Sequence, residues 1–362
     1  MIKISADKDI PQLNKLIRGS IDANNIEINY FNHNDINNKN ISESEILLVR
    51  STTKVNKSLL ENTKIKFVAS ATSGINHLDI DYLESQKIQW GYAAGCNSSS
   101  VTHYVLAVIA ELIEKKKINY DSKIGIIGYG NIGQKLSKYL EELSFDIFIY
   151  DPYINNKKLV DFNTILKCDL VSIHVPFTKD GLYPTHDLIK SYELEQLSNK
   201  VLINSSRGGI VNEKAILKNN ITYITDVWEN EPMPNNELVM RSYIATPHIA
   251  GYSKQGRLNG STQVIRLVSN YLETKKDTSP FNFQDVSKRD KEERIDKSTF
   301  KEIYPLNFFN KTFDIKSISD EMKDFFKNNL NNNEIATGFN QMRKNHPDRN
   351  DFDSKDFLSK NF

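Results

Sequence analysis

Cysteine is nearly absent from the chain. Cys96 and Cys168 are the only two among 362 residues, so no disulfide framework holds the fold. An excess of either charge is absent too. The 47 lysines and arginines meet 46 aspartates and glutamates, a formal net charge of +1. That balance offers no basic surface for nucleic acid and no acidic tail. Long hydrophobic runs are missing: the longest, Val105 to Ala110, falls far short of the roughly 20 residues of a membrane helix. The opening Met1-Ile2-Lys3-Ile4-Ser5-Ala6-Asp7 has no apolar signal-peptide core. The expectation is a cytoplasmic protein without nucleic acid, membrane or metal among its partners. The length is too great for one ordinary core, so two or three domains are expected.

What is present is an alternation of short apolar strands and helical patches. Met1 to Ile4, Ile26 to Phe31, Ile46 to Val49, Lys66 to Ala71 and Ile88 to Tyr92 read as strands. Helical stretches fall between them, which makes a small α/β unit over about residues 1–95. A long helix begins at Cys96-Asn97, with Val101, Tyr104, Val105, Val108 and Leu112 as its buried stripe. Further strands are predicted near Leu170 to His174, Val201 to Asn204, Tyr223 to Val227 and Tyr243 to Thr246. Residues 96–252 thus read as a doubly wound α/β domain inserted into the first unit. The helix from about Lys254 to Lys275 returns to that first unit, which takes in residues 253–280. Residues 277–297 are charged and weakly patterned, as a linker would be, and 298–362 form a third, small domain.

The stretch that organises the rest is Lys123 to Gly133. Ile124 to Ile127 is a buried parallel strand by its apolar, β-branched run. Gly128, Gly130 and Gly133 then give G-x-G-x-x-G, and Ile132, Leu136, Tyr139, Leu140 and Leu143 recur at helical spacing. Strand, glycine turn and helix form the setting of a dinucleotide site. Gly128 permits the tight turn, Gly130 the approach of a pyrophosphate, and Gly133 close packing of helix on strand. The next strand ends in Asp151, 18 residues past Gly133. A carboxylate there accepts hydrogen bonds from a ribose and repels a 2′-phosphate, which favours NAD over NADP.

Three further segments sit just beyond predicted strands: Asn204 to Gly209, Asp226 to Pro232, and Thr246 to Tyr252. Open α/β sheets bind ligands at those carboxyl ends. An arginine, a carboxylate and a histidine there suit the oxidation of a 2-hydroxy acid. Arg207 can fork onto a carboxylate, His248 can take a hydroxyl proton, and Glu231 can hold the imidazole in orientation. Read singly, each residue has a plainer role: a surface ion pair, a turn before Pro232, a structural histidine. His33, His77, His103, His174 and His186 keep that plainer role, and His346-Pro347-Asp348 is treated as a chance tripeptide.

Together Gly128 to Gly133, Ser206-Arg207-Gly208-Gly209, Asp226 to Pro232 and Thr246 to Tyr252 resemble the D-isomer-specific 2-hydroxyacid dehydrogenases, over roughly residues 1–275. Val49 to Asn56, Ala94 to Asn97, Gly260 to Gln263 and Gly338 to Asn345 are similar to one member of that family. It oxidises 4-phospho-D-erythronate to 3-hydroxy-2-oxo-4-phosphooxybutanoate on the way to pyridoxal 5′-phosphate. The resemblance implies an α/β fold, with a doubly wound Rossmann-type NAD domain inserted in a smaller flavodoxin-like substrate (lid) domain. It adds a small C-terminal α+β dimerisation domain, hence a homodimer. Arg207, Glu231 and His248 would be catalytic, and Ser51, Thr72 and Tyr252 would contact substrate. Gly128, Gly130, Asn131, Ile132, Gly133, Asp151, Val175, Asp226 and Gly251 would contact NAD. Arg50 and Lys54 are the candidates for the substrate phosphate.

Two rivals stand beside this expectation. One is a sister dehydrogenase of 3-phosphoglycerate, glyoxylate or hydroxypyruvate; the other is an NAD-sensing, corepressor-like binding protein on the same fold. Three residues depart from the family pattern. His103 replaces a glutamate, Ser206 an alanine or cysteine, and Asn212 an aspartate.

Overall fold

The computed structural model describes residues 1–20, 25–154, 159–274, 306–328, 330–347 and 349–352. They divide into two compact units. One holds Met1–Asn97 with the long helix that follows Ser253; the other holds Ser98–Tyr252 with the C-terminal helices. The stretch 277–297 read as a linker lies outside the described residues, as do 298–305 and 353–362 of the expected third domain.

The first unit is a five-stranded sheet of β1 (Ile2–Asp7), β2 (Ile26–Phe31), β3 (Ile46–Val49), β4 (Phe67–Ser70) and β5 (Gln89–Tyr92). Its order is β2-β1-β3-β4-β5, and every pairing is parallel. This is the flavodoxin-like order. A parallel sheet is covered on both faces, so its strands read as unbroken apolar runs. In β3, Ile46 and Leu48 join a core with Ile4, Phe67 and, from the helix Lys254–Thr274, Val264, Leu267, Val268 and Tyr271. Leu47 and Val49 point the other way, into a core with Leu59, Leu60, Val68 and Leu83. The two-residue period of a strand divides one run between two cores.

The second unit has a six-stranded sheet of β6 (Lys123–Ile127), β7 (Asp146–Tyr150), β8 (Leu170–Ile173), β9 (Val201–Asn204), β10 (Thr222–Thr225) and β11 (Ile244–Ala245). The order is β11-β10-β9-β8-β6-β7, again all parallel. β6 has β7 on one side and β8 on the other, so the winding reverses there. The carboxyl ends at that reversal are where such sheets bind ligands.

The tail was expected to be a small α+β domain. Its described residues hold three helices, Leu306–Thr312, Ile315–Phe326 and Asn332–Asn345, and no strand. Ile315, Ser319, Met322 and Phe326 recur at helical spacing and are the buried face of the second helix. Met322, Phe326 and Phe339 enter the same core as Val171, Leu202, Leu238 and Ala245. Burying each is worth roughly 1.5–3 kcal/mol, so these helices are part of the second unit's own stability. They also cover the outer strand. Ser319 Oγ accepts the Ala245 N–H at 3.0 Å, and Lys323 donates to the carbonyls of Ser242 and Tyr243. An exposed strand edge is otherwise a template for unwanted pairing. No helix of the described residues is long and apolar enough to cross a membrane.

Candidate active site

The glycine turn is shaped by sterics. Gly128 has φ +96°, the left-handed region that glycine enters without penalty. A Cβ on it would stand 2.4 Å from the His174 carbonyl oxygen and 2.8 Å from Val175 Cγ1. On Gly133 a Cβ would stand 2.0 Å from the Gly128 oxygen. Above Gly130 the space is open to 4 Å among the described residues. Gly130 is also the N-cap of the helix Asn131–Glu142 and gives it no side-chain cap. Free backbone N–H groups and the helix dipole at that end suit a pyrophosphate. Asp151 follows β7. Its Oδ2 accepts the Tyr129 N–H at 2.8 Å and its Oδ1 the Tyr153 N–H at 3.0 Å, which fastens the carboxylate to the glycine turn. The turn, Asp151 and Val175 therefore fit an NAD molecule: two glycines are sterically obligatory, and the third leaves the room a phosphate needs.

The catalytic candidates all belong to the second unit. Arg207 follows β9 in a turn that Asn204 ties together: its Nδ2 donates to the Arg207 carbonyl at 3.0 Å and its Oδ1 accepts the Ser206 N–H at 3.1 Å. Gly208 is required because a Cβ would fall 1.9 Å from the Trp228 carbonyl oxygen. The Arg207 guanidinium donates to the Ser206 carbonyl at 2.7 Å. Burial holds its pKa below the ordinary arginine value; Glu231 opposes that, and Arg343 adds to it.

His248 lies after β11 with φ +56°, a conformation few residues with a Cβ adopt and one that costs of order 1–3 kcal/mol. Its Nδ1 is 2.6 Å from Glu231 Oε2. Glu231 Oε1 accepts the Trp228 N–H at 3.0 Å. Burial by itself pushes the Glu231 carboxyl up. The charge and hydrogen bond of His248, the Trp228 N–H and the Arg343 charge outweigh it and hold the group below the usual carboxylate range.

Asp226 was expected to touch the cofactor. In the structure it is 1 % exposed. Its Oδ1 accepts from Thr246 Oγ1 at 2.6 Å and the Ile249 N–H at 2.8 Å, and its Oδ2 accepts the Ala250 N–H at 2.8 Å. Both oxygens thus hold the loop that carries His248. Burial raises its pKa, against the pull of His248 and these donors. Tyr104 extends the brace, its hydroxyl 2.9 Å from Thr246 Oγ1, and Trp228 Nε1 donates to the Thr246 carbonyl at 3.1 Å.

Gly251 and Tyr252 follow in the same loop, both half-buried. In the first unit, Ser51 is exposed beyond β3. Thr72, beyond β4, has its hydroxyl 2.8 Å from Ser70 Oγ and donates to the Gly74 carbonyl at 3.1 Å. Arg50 forks onto the buried Asp7 at 3.0 and 3.2 Å and reaches Asp9 at 2.8 Å; its charge is already matched. Lys54 is exposed.

The three departures have local reasons. Asn212 caps the helix Glu213–Ile216 by accepting the Ala215 N–H at 2.9 Å, the work an aspartate would do. Ser206 Oγ donates to the Ile173 carbonyl at 2.5 Å and ties the β9 turn to β8. His103 is fully buried, edge-on to Phe309, Phe313 and Phe352 of the tail; burial, then Arg349, pushes its pKa well down. The position serves packing. His174 is likewise buried against Ser172 and pushed down to about 3 by burial.

Two further residues of this neighbourhood were not expected at the site, although Arg343 lies in the stretch 338–345 that resembles a family member. Arg349 is half-buried, donates to the carbonyls of Ser100 and Ala250 at 2.7 and 2.5 Å, and stacks 4.0 Å from the Phe313 ring centroid. Arg343 lies over the ring of Tyr252, 5.5 Å from its centroid. Both lie more than 90 residues beyond the His248 loop, so only the folded chain shows the proximity.

Comparison with known proteins places the chain in a family. The family described as D-isomer specific 2-hydroxyacid dehydrogenase, NAD binding domain, matches residues 111–250. An erythronate-4-phosphate dehydrogenase of Marinomonas sp. (strain MWYL1) is 39 % identical over 284 residues, covering 75 % of this chain and 73 % of the relative. One of Cellvibrio japonicus is 31 % identical and covers 97 % and 93 %. Among solved structures, an NAD+-bound 3-phosphoglycerate dehydrogenase of Entamoeba histolytica superposes with a TM-score of 0.66 at 22 % identity. That match takes in 98 % of its own chain but 78 % of this one.

Proposed function

The chain belongs to the erythronate-4-phosphate dehydrogenase family of D-isomer specific 2-hydroxyacid dehydrogenases, and from that premise we propose that it oxidises 4-phospho-D-erythronate to 3-hydroxy-2-oxo-4-phosphooxybutanoate with NAD, a step toward pyridoxal 5′-phosphate. The observation that carries the reading is the 2.6 Å pairing of His248 with Glu231, in the electrostatic neighbourhood of Arg207. Glu231 is held ionised at neutral pH, and an ionised carboxylate only accepts hydrogen bonds. The shared proton therefore sits on His248 Nδ1, which leaves Nε2 with a lone pair. Nε2 takes the proton of the C2 hydroxyl as hydride leaves that carbon and the C–O bond becomes C=O. Bound NAD supplies the hydride acceptor. The imidazolium formed is matched by the carboxylate beside it. Arg207 forks onto the substrate carboxylate and so fixes which C2 bond is presented.

Gly128, Gly130, Asn131, Ile132, Gly133, Asp151, Val175 and Gly251 are the proposed NAD contacts, and Ser51, Thr72 and Tyr252 the proposed substrate contacts. Asp226 is assigned instead to holding the His248 loop. A cytoplasmic homodimer is part of the same reading, supported by the resemblance of 338–345 to a dimerisation segment.

The test is NADH formation by the purified chain across 2-hydroxy acids with and without phosphate. The reading expects 4-phospho-D-erythronate to give the highest kcat/KM. A higher value on 3-phosphoglycerate, glycolate or glycerate would move the chain to a sister activity. NAD binding without turnover of any of them would favour a binding protein.

A further inference from the structure

Arg343 stands in the last turn of the helix Asn332–Asn345 beside Lys344. A helix carboxyl end favours cations, and the exposed Lys344 already meets that preference. Arg343 is turned inward onto Tyr252, and its Nε is buried without a hydrogen-bond acceptor. Among the described residues it makes no ion pair within 4 Å and no hydrogen bond, and its guanidinium lies over the Tyr252 ring. The Nε–H is thus a buried donor for which the described residues supply no acceptor.

Its surroundings sharpen the point. Arg343 is close enough to Arg207 and Glu231 to act on both electrostatically. The one carboxylate of that group, Glu231, is committed to His248 and Trp228. Arg207 and Arg343 thus share the neighbourhood of a carboxylate, Glu231, that is already matched by an imidazole. The proposed substrate carries two anionic groups, a carboxylate beside the reacting carbon and a phosphate at the far end. Arg50, the other arginine considered for the phosphate, is held by two aspartates.

We propose that Arg343 is the residue of the C-terminal helix that binds the substrate's terminal phosphate, while Arg207 binds its carboxylate. The proposal rests on the substrate assignment made above. It gives the tail a direct part in specificity.

The experiment compares kcat/KM on 4-phospho-D-erythronate and on D-erythronate, at saturating NAD, for the full-length wild type, Arg343→Met and Arg343→Lys. A charge-assisted contact to phosphate is worth roughly a 10- to 100-fold factor. Arg343→Met is expected to lower the ratio of the two kcat/KM values by about that factor, chiefly through KM of the phosphorylated acid. Arg343→Lys, which keeps the charge without the fork, should lie between. An unchanged ratio in a folded Arg343→Met, an equal loss on both acids, or a loss confined to KM for NAD would each overturn the proposal. A wild type that itself does not prefer the phosphorylated acid would overturn the substrate assignment, and this arm alone tells that failure from the others.

Discussion

The two halves of the second sheet build their carboxyl ends by different means. At β6 and β7 the shape is set by what is missing: three glycines without side chains, one with φ +96°, another with a neighbouring oxygen where Cβ would be. At β9 to β11 it is set by what is added. Asp226, Thr246, Trp228 and Tyr104 bind the loop of His248 from below. A pyrophosphate asks mainly for room and backbone amides. Proton transfer from a hydroxyl asks for one nitrogen within a few tenths of an ångström, which takes buried, cross-linked side chains.

The comparison breaks most deeply at Asp226. Asp226→Ala removes the acceptor of three hydrogen bonds from a fully buried place and leaves two backbone N–H groups unmatched. The expected loss is about 3–5 kcal/mol in denaturant unfolding, with turnover falling more than NAD affinity. Retention of wild-type stability would mean that the loop holds its shape without the aspartate.

Next is Glu213, which accepts the Glu229 N–H at 2.7 Å under the same loops. Burial raises its pKa from 4.5 to about 7, with Glu229 and Glu231 adding to the rise. The folded chain thus keeps a proton that the unfolded chain has lost. The stability this brings is full below about 4.5 and gone above about 7. Glu213→Gln has no proton to lose. Relative to wild type it should gain about 3 kcal/mol between those two pH values, read from urea midpoints at pH 4 and pH 8. A difference independent of pH would contradict the raised pKa.

Gly133→Ala attacks the other half. Its methyl would stand 2.0 Å from the Gly128 oxygen, so strand and helix must part at a cost of about 1–3 kcal/mol. NAD affinity should fall at least as steeply as stability, by isothermal titration, while the His248 loop keeps its protection from hydrogen exchange. The smallest effect is expected at Asp151. Asp151→Ala should narrow the NAD to NADP affinity ratio by about tenfold, a little over 1 kcal/mol. An unchanged ratio would leave the carboxylate as an anchor of the Tyr129 turn alone.

These differences also explain what could be read from the chain beforehand. The strand, G-x-G-x-x-G and helix at Lys123 to Gly133 are local, because the geometry glycine permits depends on near neighbours. The five- and six-stranded sheets followed from apolar runs between polar turns, since both faces of a parallel strand are buried. The set Arg207, Glu231 and His248, with Glu231 orienting the imidazole, was suggested by residue type at strand ends; the 2.6 Å distance of that contact was not. Asp226 looked like one more strand-end carboxylate; its partners Thr246, Ile249 and Ala250 lie 20 to 24 residues on. The tail showed apolar clusters near Ile303 to Phe309 and Met322 to Leu330, but not where they pack. Its apolar residues turned out to complete another domain's core, which sequence periodicity does not encode. The placement of Arg343 and Arg349 beside the His248 loop could not be read for the same reason.

The measurement that tests the account most directly is the turnover of His248→Asn with 4-phospho-D-erythronate and NAD, beside NAD binding by the same protein. Asparagine can still donate to Glu231 but offers no nitrogen lone pair to the hydroxyl. The account predicts a fall in turnover of roughly 10²- to 10⁴-fold, the usual worth of a positioned acid–base, with NAD affinity close to wild type. Wild-type turnover in a folded His248→Asn protein would contradict it.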